Sequence, residues 1–333
     1  MSRDDARVNG GQIGVTVGKF NPPHLGHQHL VTTAAGRVDE LHVLLCDRPD
    51  QTIAASARAD WLADSVPDNV TIHVTPDDLP EANEPWADRT LAILPGRPDV
   101  AFTSEPYGEG WAAQMEARHE SIDVNRSTFP ISATQLRADL GSHFTWLVPA
   151  ARAALSRRVV VVGAESTGKS TLAESLAQEL ATTWAPEHGR WYWEGRRHRA
   201  DQTWASDEFL RIADAQESLI HDLARLSTNG LVLADTDALV TSVWHERYVG
   251  TPMPNPTGVT AVPDLYLVCA PDFTWVQDGT RESAAERQWM HERTLELIAA
   301  SGVSHSVLRG GPEERLSQAL DLVAPLTRFS PLT

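Results

Sequence analysis

Two stretches of this chain combine glycines, hydroxyls and cations at spacings that suit phosphate chemistry. Gly163-Ala164-Glu165-Ser166-Thr167-Gly168-Lys169-Ser170 fits GxxxxGK[ST], follows the apolar run Val159 to Val162 and opens a helical pattern. Backbone N–H groups of such a loop cradle phosphates, with Lys169 bridging the β- and γ-phosphates and Ser170 holding Mg²⁺. Gly163, Ser166, Thr167, Gly168 and Thr171 are the accompanying phosphate contacts. The second stretch, Gly18-Lys19-Phe20-Asn21-Pro22-Pro23-His24-Leu25-Gly26-His27, follows the run Ile13 to Val17 and also opens a helical pattern. There a helix start offers free N–H groups and a positive dipole end, and His24 and His27, three residues apart, can reach one side together to stabilise a phosphoryl group. A zinc reading of these histidines lacks a third ligand at a fitting spacing.

The chain has 28 basic residues, and its only two lysines, Lys19 and Lys169, both fall in these motifs. A compact ammonium on a flexible stem is not replaced by a planar guanidinium, so the retention of lysine there points to phosphate contact.

Acids complete the second-half constellation. Leu231 to Ala234 reads as a strand that ends in Asp235, the candidate Mg²⁺ carboxylate. Asp237, two residues on, can orient or deprotonate an acceptor hydroxyl, or it can cap the next helix. Arg281 and Arg287 are candidate lid cations over a transferring phosphoryl group, with surface ion pairing the alternative for Arg287.

Around these motifs, apolar runs of β-type residues alternate with helical patterns. Ile13 to Val17, Leu41 to Cys46, Val70 to Val74 and Val100 to Thr103 read as strands of a parallel sheet. A helical Trp/Leu/Ala-rich segment from Phe144 to Leu155 closes this half. The grammar then restarts with strands at Val159 to Val162, Leu231 to Ala234, Leu265 to Cys269 and near Val307. Helices are expected from Ser170 to Leu180, Ser206 to Leu226, Ser283 to Ala300 and Pro312 to Leu326. The expectation is two doubly wound α/β domains, residues 1–150 and 151–333, with an irregular Pro/Gly-rich loop over residues 250–258.

The chain of 333 residues carries a formal charge of −17 and is 41% hydrophobic. That composition excludes disorder, and so acidic a surface disfavours duplex DNA. No apolar run approaches a membrane span and the polar start is no signal peptide, so a cytoplasmic protein is expected. Cys46 and Cys269 each fall in an apolar strand and read as reduced core thiols.

His24-Leu25-Gly26-His27 resembles the HxGH signature of the nucleotidylyltransferase superfamily. Ile131-Ser132-Ala133-Thr134-Gln135-Leu136-Arg137 is similar to its ISxTxxR segment, which implies that Ser132 or Thr134 caps a helix over the triphosphate and that Arg137 faces its phosphates. Thr103-Ser104-Glu105-Pro106-Tyr107-Gly108 looks like the substrate-side loop of the nicotinamide mononucleotide adenylyltransferase branch. The resemblance makes Gly18, Phe20, Gly26, Ser104 and Glu105 substrate contacts. Trp86 and Trp111 are candidates for ring stacking, although core packing accounts for either. Asn21 stands where many members carry Asp.

In the second half, Trp275-Val276-Gln277-Asp278-Gly279 and Asp235-Thr236-Asp237 resemble the ribosylnicotinamide kinase domain of the bifunctional NadR proteins. Glu187-His188-Gly189-Arg190 and the segment containing Gln216 are similar too, which adds Trp275, Gln277, Asp278 and Arg190 to the substrate contacts.

The resemblance implies an N-terminal Rossmann-like nucleotidylyltransferase domain and a C-terminal P-loop kinase domain. It implies phosphorylation of nicotinamide riboside by ATP to nicotinamide mononucleotide, then adenylyl transfer from a second ATP to give NAD and pyrophosphate, with Mg²⁺ as cofactor. The catalytic set is then His24, His27, Lys19 and Arg137 for adenylyl transfer, and Lys169, Asp235, Asp237 and Arg281 for the kinase step. A homo-oligomer, functionally coupled to a nicotinamide riboside transporter, is the implied setting. Relatives with an additional helix-turn-helix domain bind DNA; with a first strand near Ile13, no such domain and no DNA partner are expected here. The rival readings are a kinase with a silent first domain, because of Asn21, and a nucleotide sensor.

Overall fold

The structure, a computed structural model, describes residues 11–105, 107–254, 262–272 and 284–332. The chain divides into two compact units, residues 1–151 with 330–333, and residues 152–329.

The first unit alternates strands and helices. They are β1 (Ile13–Gly18), α1 (Leu25–Ala35), β2 (Glu40–Asp47), α2 (Ala55–Ala63), β3 (Val70–Pro76), α3 (Asn83–Ile93), β4 (Val100–Thr103), α4 (Gly108–Gln114) and β5 (Arg118–Ser121). The short helices α5 (Ala133–Ala138), α6 (Leu140–His143) and α7 (Pro149–Leu155) follow. The strands form one parallel sheet in the order β3-β2-β1-β4-β5. Because strand side chains alternate, Leu41, Val43 and Leu45 of β2 pack with Leu30, Val31 and Leu62 on one face. Leu44 packs with Ala87 and Trp111 on the other. Trp111 is thus a core residue.

The strand order reverses between β1 and β4, and in an open parallel sheet the crevice at the C-terminal ends of such neighbours is where ligands bind. The segment Phe144 to Leu155 is not one helix. A 3₁₀ turn at Phe144–Trp146 gives way to extended Leu147, which bridges to His24, and Val148 N donates to Pro23 O. Pro149 disfavours a helical conformation in the residue before it, and the interruption ties the HxGH loop to the body of the unit.

The second unit repeats the plan with β6 (Arg157–Val162), α8 (Lys169–Glu179), β7 (Thr183–Ala185), α9 (His188–Arg196), α10 (Ser206–Ala224), β8 (Leu231–Asp235), α11 (Ala238–Val249), β9 (Leu265–Cys269), α12 (Ala284–Ser301), β10 (His305–Leu308) and α13 (Pro312–Val323). Its sheet is parallel in the order β10-β9-β6-β8-β7. Val159 and Val161 face Leu172 and Leu176 of α8 and Ala319 and Val323 of α13. Val160 and Val162 face Ile220 of α10, Val240 of α11 and Ile298 of α12. Each such fully buried side chain is worth about 1.5–3 kcal/mol relative to exposure. The fold is therefore doubly wound in both units, with β6 at the centre of the second sheet between β9 and β8.

Both cysteines are free and buried, Cys46 in β2 and Cys269 in β9, and burial pushes their thiols up to about 12 and about 11. No helix among the described residues is long and apolar enough to cross a membrane. Of the Pro/Gly-rich loop, Gly250 ends α11 in the left-handed conformation that glycine adopts without strain, and residues 251–254 lie outside helix and strand. Residues 255–261 lie outside the described set.

Candidate functional site

In the first unit the loop after β1 is built around His24, the N-cap of α1. Its Nδ1 accepts from the backbone N–H groups of Gly26 at 3.1 Å and His27 at 3.4 Å. A side chain at position 26 would press on the His24 ring at 3.0 Å, so glycine keeps that cap in place. With Nδ1 accepting, the proton of the neutral imidazole sits on Nε2, which becomes a donor. The His27 ring stacks on His24 with centroids 3.6 Å apart, and Phe20, buried in a left-handed turn, meets His27 edge-on.

Burial, then the charge of Arg126, lowers the His24 pKa to about 3. Burial, His24 and Arg126 likewise hold His27 well below the usual imidazole range. Both rings are neutral hydrogen-bonding groups near pH 7, not cations. The cations are supplied by neighbours. Lys19 is largely exposed, 3.4 Å from Asp77. Arg137 donates to Asn21 O at 2.7 Å and reaches Thr134 Oγ1. Ser132 caps α5 in a reciprocal box with Gln135, so of the two candidate caps it is Ser132 that fills the role. Gly18 ends β1 and Ser104 lies half-buried just past β4, with Glu105 paired to Arg126 at 3.0 Å.

Two residues that act on this loop were not legible from sequence. Arg126 acts electrostatically on both histidines without belonging to any motif. Arg58, fully buried on α2, donates to the carbonyls of Lys19, Cys46 and Ile53 and to Asp47 and Gln51, and so ties the ends of β1 and β2 together.

In the second unit a cavity of about 910 Å³ opens over the phosphate-binding loop. Ser166, Gly168, Lys169, Ser170, Thr171 and Arg190 all line it. Gly163 and Gly168 carry positive φ, and a side chain at 163 would collide with Thr167 and with Cys269 O. Thr167 closes the loop by donating to Ala164 O. Two buried guanidiniums hold its backbone: Arg287 donates to Glu165 O at 3.1 Å and Arg315 to Thr167 O at 2.6 Å. Arg287 is therefore no surface ion-pairing residue; it is buried, and its Nη2 has no partner among the described residues.

Lys169 is only 5% exposed. Burial favours its neutral amine, but Glu187, with which it pairs at 3.8 Å, and Asp235 outweigh that and raise its pKa. Burial raises the Asp235 carboxyl against the pull of Lys169 and the neighbouring Ser170 hydroxyl, and Asp235 Oδ1 has no partner among the described residues. Asp237 is the N-cap of α11, with Oδ1 accepting from Val240 N at 3.1 Å and Oδ2 from Tyr266 OH at 2.5 Å. Gln216 caps α9 by accepting from His188 N and does not line the cavity. Trp275, Gln277, Asp278 and Arg281 lie outside the described residues.

The far wall of the cavity is aromatic, and no motif announced it. Trp204, Phe209, Trp244 and Tyr248 line it. The Trp204 ring lies 4.8 Å from Phe209 and 5.6 Å from Tyr248, and Trp244 stacks on Tyr248 at 6.0 Å. Trp244 and Tyr248 are four apart on α11, a helical spacing that puts both on one face. One cavity thus joins a phosphate-binding end to a wall suited to a flat ring.

Comparison with known proteins agrees with both halves. Residues 15–138 match the cytidylyltransferase-like family and residues 158–315 match the AAA domain family. The chain is 26% identical over 320 residues to the "Trifunctional NAD biosynthesis/regulator protein NadR" of Escherichia coli (strain K12), covering 87% of this chain and 77% of that protein. Identity and coverage are the same for its counterpart of the same name from Salmonella typhimurium (strain LT2). Among solved structures, a NadR protein in complex with NR superposes with a TM-score of 0.70 at 24% identity, over 96% of this chain and 97% of that one. A NadR protein in complex with NAD and AMP-PNP gives 0.67 at 25% identity, over 96% of each chain.

Proposed function

The chain belongs to the NadR family, and from that premise we propose that it makes NAD from nicotinamide riboside in two steps on two units. Residues 151–333 act first, as a ribosylnicotinamide kinase, and residues 1–150 second, as a nicotinamide mononucleotide adenylyltransferase. The observation that carries the reading is the second-unit cavity, lined by Lys169 and Ser170 of the phosphate-binding loop and by Trp204, Trp244 and Tyr248.

In the kinase step the riboside 5′-hydroxyl attacks the γ-phosphorus of ATP and ADP leaves. The aromatic wall receives the pyridinium ring, whose positive charge suits ring faces. Lys169 and Arg287 absorb charge on the transferring group, and Asp235 orients the nucleophile. Ser170 and Asp235, whose Oδ1 has no partner among the described residues, would hold Mg²⁺, which would neutralise phosphate charge there. Arg190 faces the same cavity, and Asp237 serves by fixing the start of α11.

In the transferase step the mononucleotide phosphate attacks the α-phosphorus of a second ATP and pyrophosphate leaves. Neutral His24 and His27 donate hydrogen bonds as charge develops, while Lys19, Arg126 and Arg137 supply the cationic field. Asn21 engages Arg137 through its backbone carbonyl, which any residue provides, and this supports an active site despite the departure from Asp.

Cytoplasmic work as a homo-oligomer coupled to a nicotinamide riboside transporter extends the proposal, since phosphorylation fixes charge on the riboside and traps it. A chromatographic time course with riboside, ATP and Mg²⁺ tests the reading. It should show a mononucleotide transient followed by NAD and pyrophosphate. Mononucleotide alone would leave only a kinase, and tight binding without turnover would make the protein a sensor.

A further inference from the structure

Thr236 stands between the two acids at the end of β8. Its backbone is in the left-handed region, with φ at +72°. A β-branched residue is a genuine outlier there, because its branched Cβ crowds the backbone. Glycine or asparagine would make the same turn without that strain. The turn alone therefore does not account for threonine.

Its hydroxyl is the second anomaly. Thr236 is 4% exposed, its Oγ1 has no hydrogen-bond partner among the described residues, and it lines the large cavity. Its N–H is already satisfied by Val161 O at 3.0 Å, so the backbone is locked while the hydroxyl is left over. A buried hydroxyl without a partner is costly, and strain kept at such a position belongs with binding a ligand.

The fold says which part of the ligand it meets. Asp235, immediately before Thr236, lies within the electrostatic influence of Lys169 and Ser170 of the phosphate-binding loop. Thr241, Trp244 and Tyr248 of α11 line the cavity beyond it at helical spacing, running from the start of the helix toward the aromatic wall. Thr241 Oγ1 is taken by Asp237 O, which leaves Thr236 with the unpaired hydroxyl on this stretch. Between a phosphate end and a ring-binding end lies the sugar of an acceptor.

We propose that Thr236 is a substrate-binding residue whose hydroxyl hydrogen-bonds a pentose hydroxyl of the acceptor and aligns it for attack on the γ-phosphate. The assignment rests on the phosphoryl-transfer reading of this unit.

The test is steady-state mononucleotide formation by the full chain carrying T236V, T236S or T236G. T236V, which keeps the shape and deletes the hydroxyl, should lose about tenfold or more in kcat/KM for the riboside, with KM for ATP unchanged. T236S should stay within about threefold of the wild type. T236G relieves the strain, so it folds at least as well, yet should be as impaired as T236V. Adenylyl transfer assayed with mononucleotide supplied directly should be untouched in all three. Wild-type riboside kinetics in T236V, or in T236G, would overturn the assignment while leaving the kinase reading intact. A wild-type protein that forms no mononucleotide would overturn that reading, and this assignment with it.

Discussion

Asp235 and Asp237 lie two residues apart at the end of β8, and only Asp235 has a carboxylate oxygen to offer. Asp237 spends one oxygen on Val240 N and the other on Tyr266 OH, whereas Asp235 Oδ1 has no partner among the described residues. Sequence spacing allowed either acid to serve the acceptor hydroxyl, and the hydrogen bonds divide the labour between them.

Asp235→Asn should therefore cut mononucleotide formation by about 10²–10³-fold in a protein that melts normally. Asp237→Ala should instead lower the stability of the second unit by about 1–3 kcal/mol, through loss of the cap and an orphaned Tyr266 hydroxyl. Parallel kinetics and calorimetry separate the two.

His24 combines a cap with a catalytic imidazole, and the two can be parted. His24→Asn retains a good N-cap acceptor, so stability should change by only about 0.5 kcal/mol. NAD formation from mononucleotide should fall about 100-fold, since the Nε2 donor is gone.

The neutral histidines set a pH dependence. Their folded pKa values lie below the unfolded value near 6.5, with His24 at about 3, so between those limits the unfolded chain binds more protons. Stability from these rings is full above about pH 6.5 and is lost as pH falls toward 3. Acid titration followed by circular dichroism should show the loss, deferred to lower pH in His27→Gln. Adenylyl transfer should show no inflection from these rings between pH 6 and 8.

Arg58 anchors the Lys19 loop from a fully buried position. Arg58→Met strands the carbonyls of Lys19, Cys46 and Ile53 and should cost the first unit about 3–5 kcal/mol. Mononucleotide formation should persist at temperatures where NAD formation has failed.

Much of the fold was legible because buried parallel strands advertise themselves: Val159 to Val162 and Leu41 to Cys46 are uninterrupted apolar runs. The strands missed are β5, Arg118–Ser121, and β7, Thr183–Ala185, short edge strands that lack such a run. The phosphate loops were legible because glycine, lysine and hydroxyl positions are fixed by local backbone geometry. The aromatic wall was not, because Trp204, Phe209 and Tyr248 come from separate segments and meet only when α10 and α11 pack. Arg58 and Arg315 escaped for the same reason, since a buried arginine reads in sequence like any surface one.

The central claim, two sites acting in series, is tested most directly by mixing Lys169→Ala with His27→Ala protein in the presence of nicotinamide riboside, ATP and Mg²⁺. Lys169→Ala alone should form neither mononucleotide nor NAD, His27→Ala alone should accumulate mononucleotide, and the mixture should make NAD. NAD formed from the riboside by either variant alone at the wild-type rate, or no mononucleotide from His27→Ala, would contradict the account.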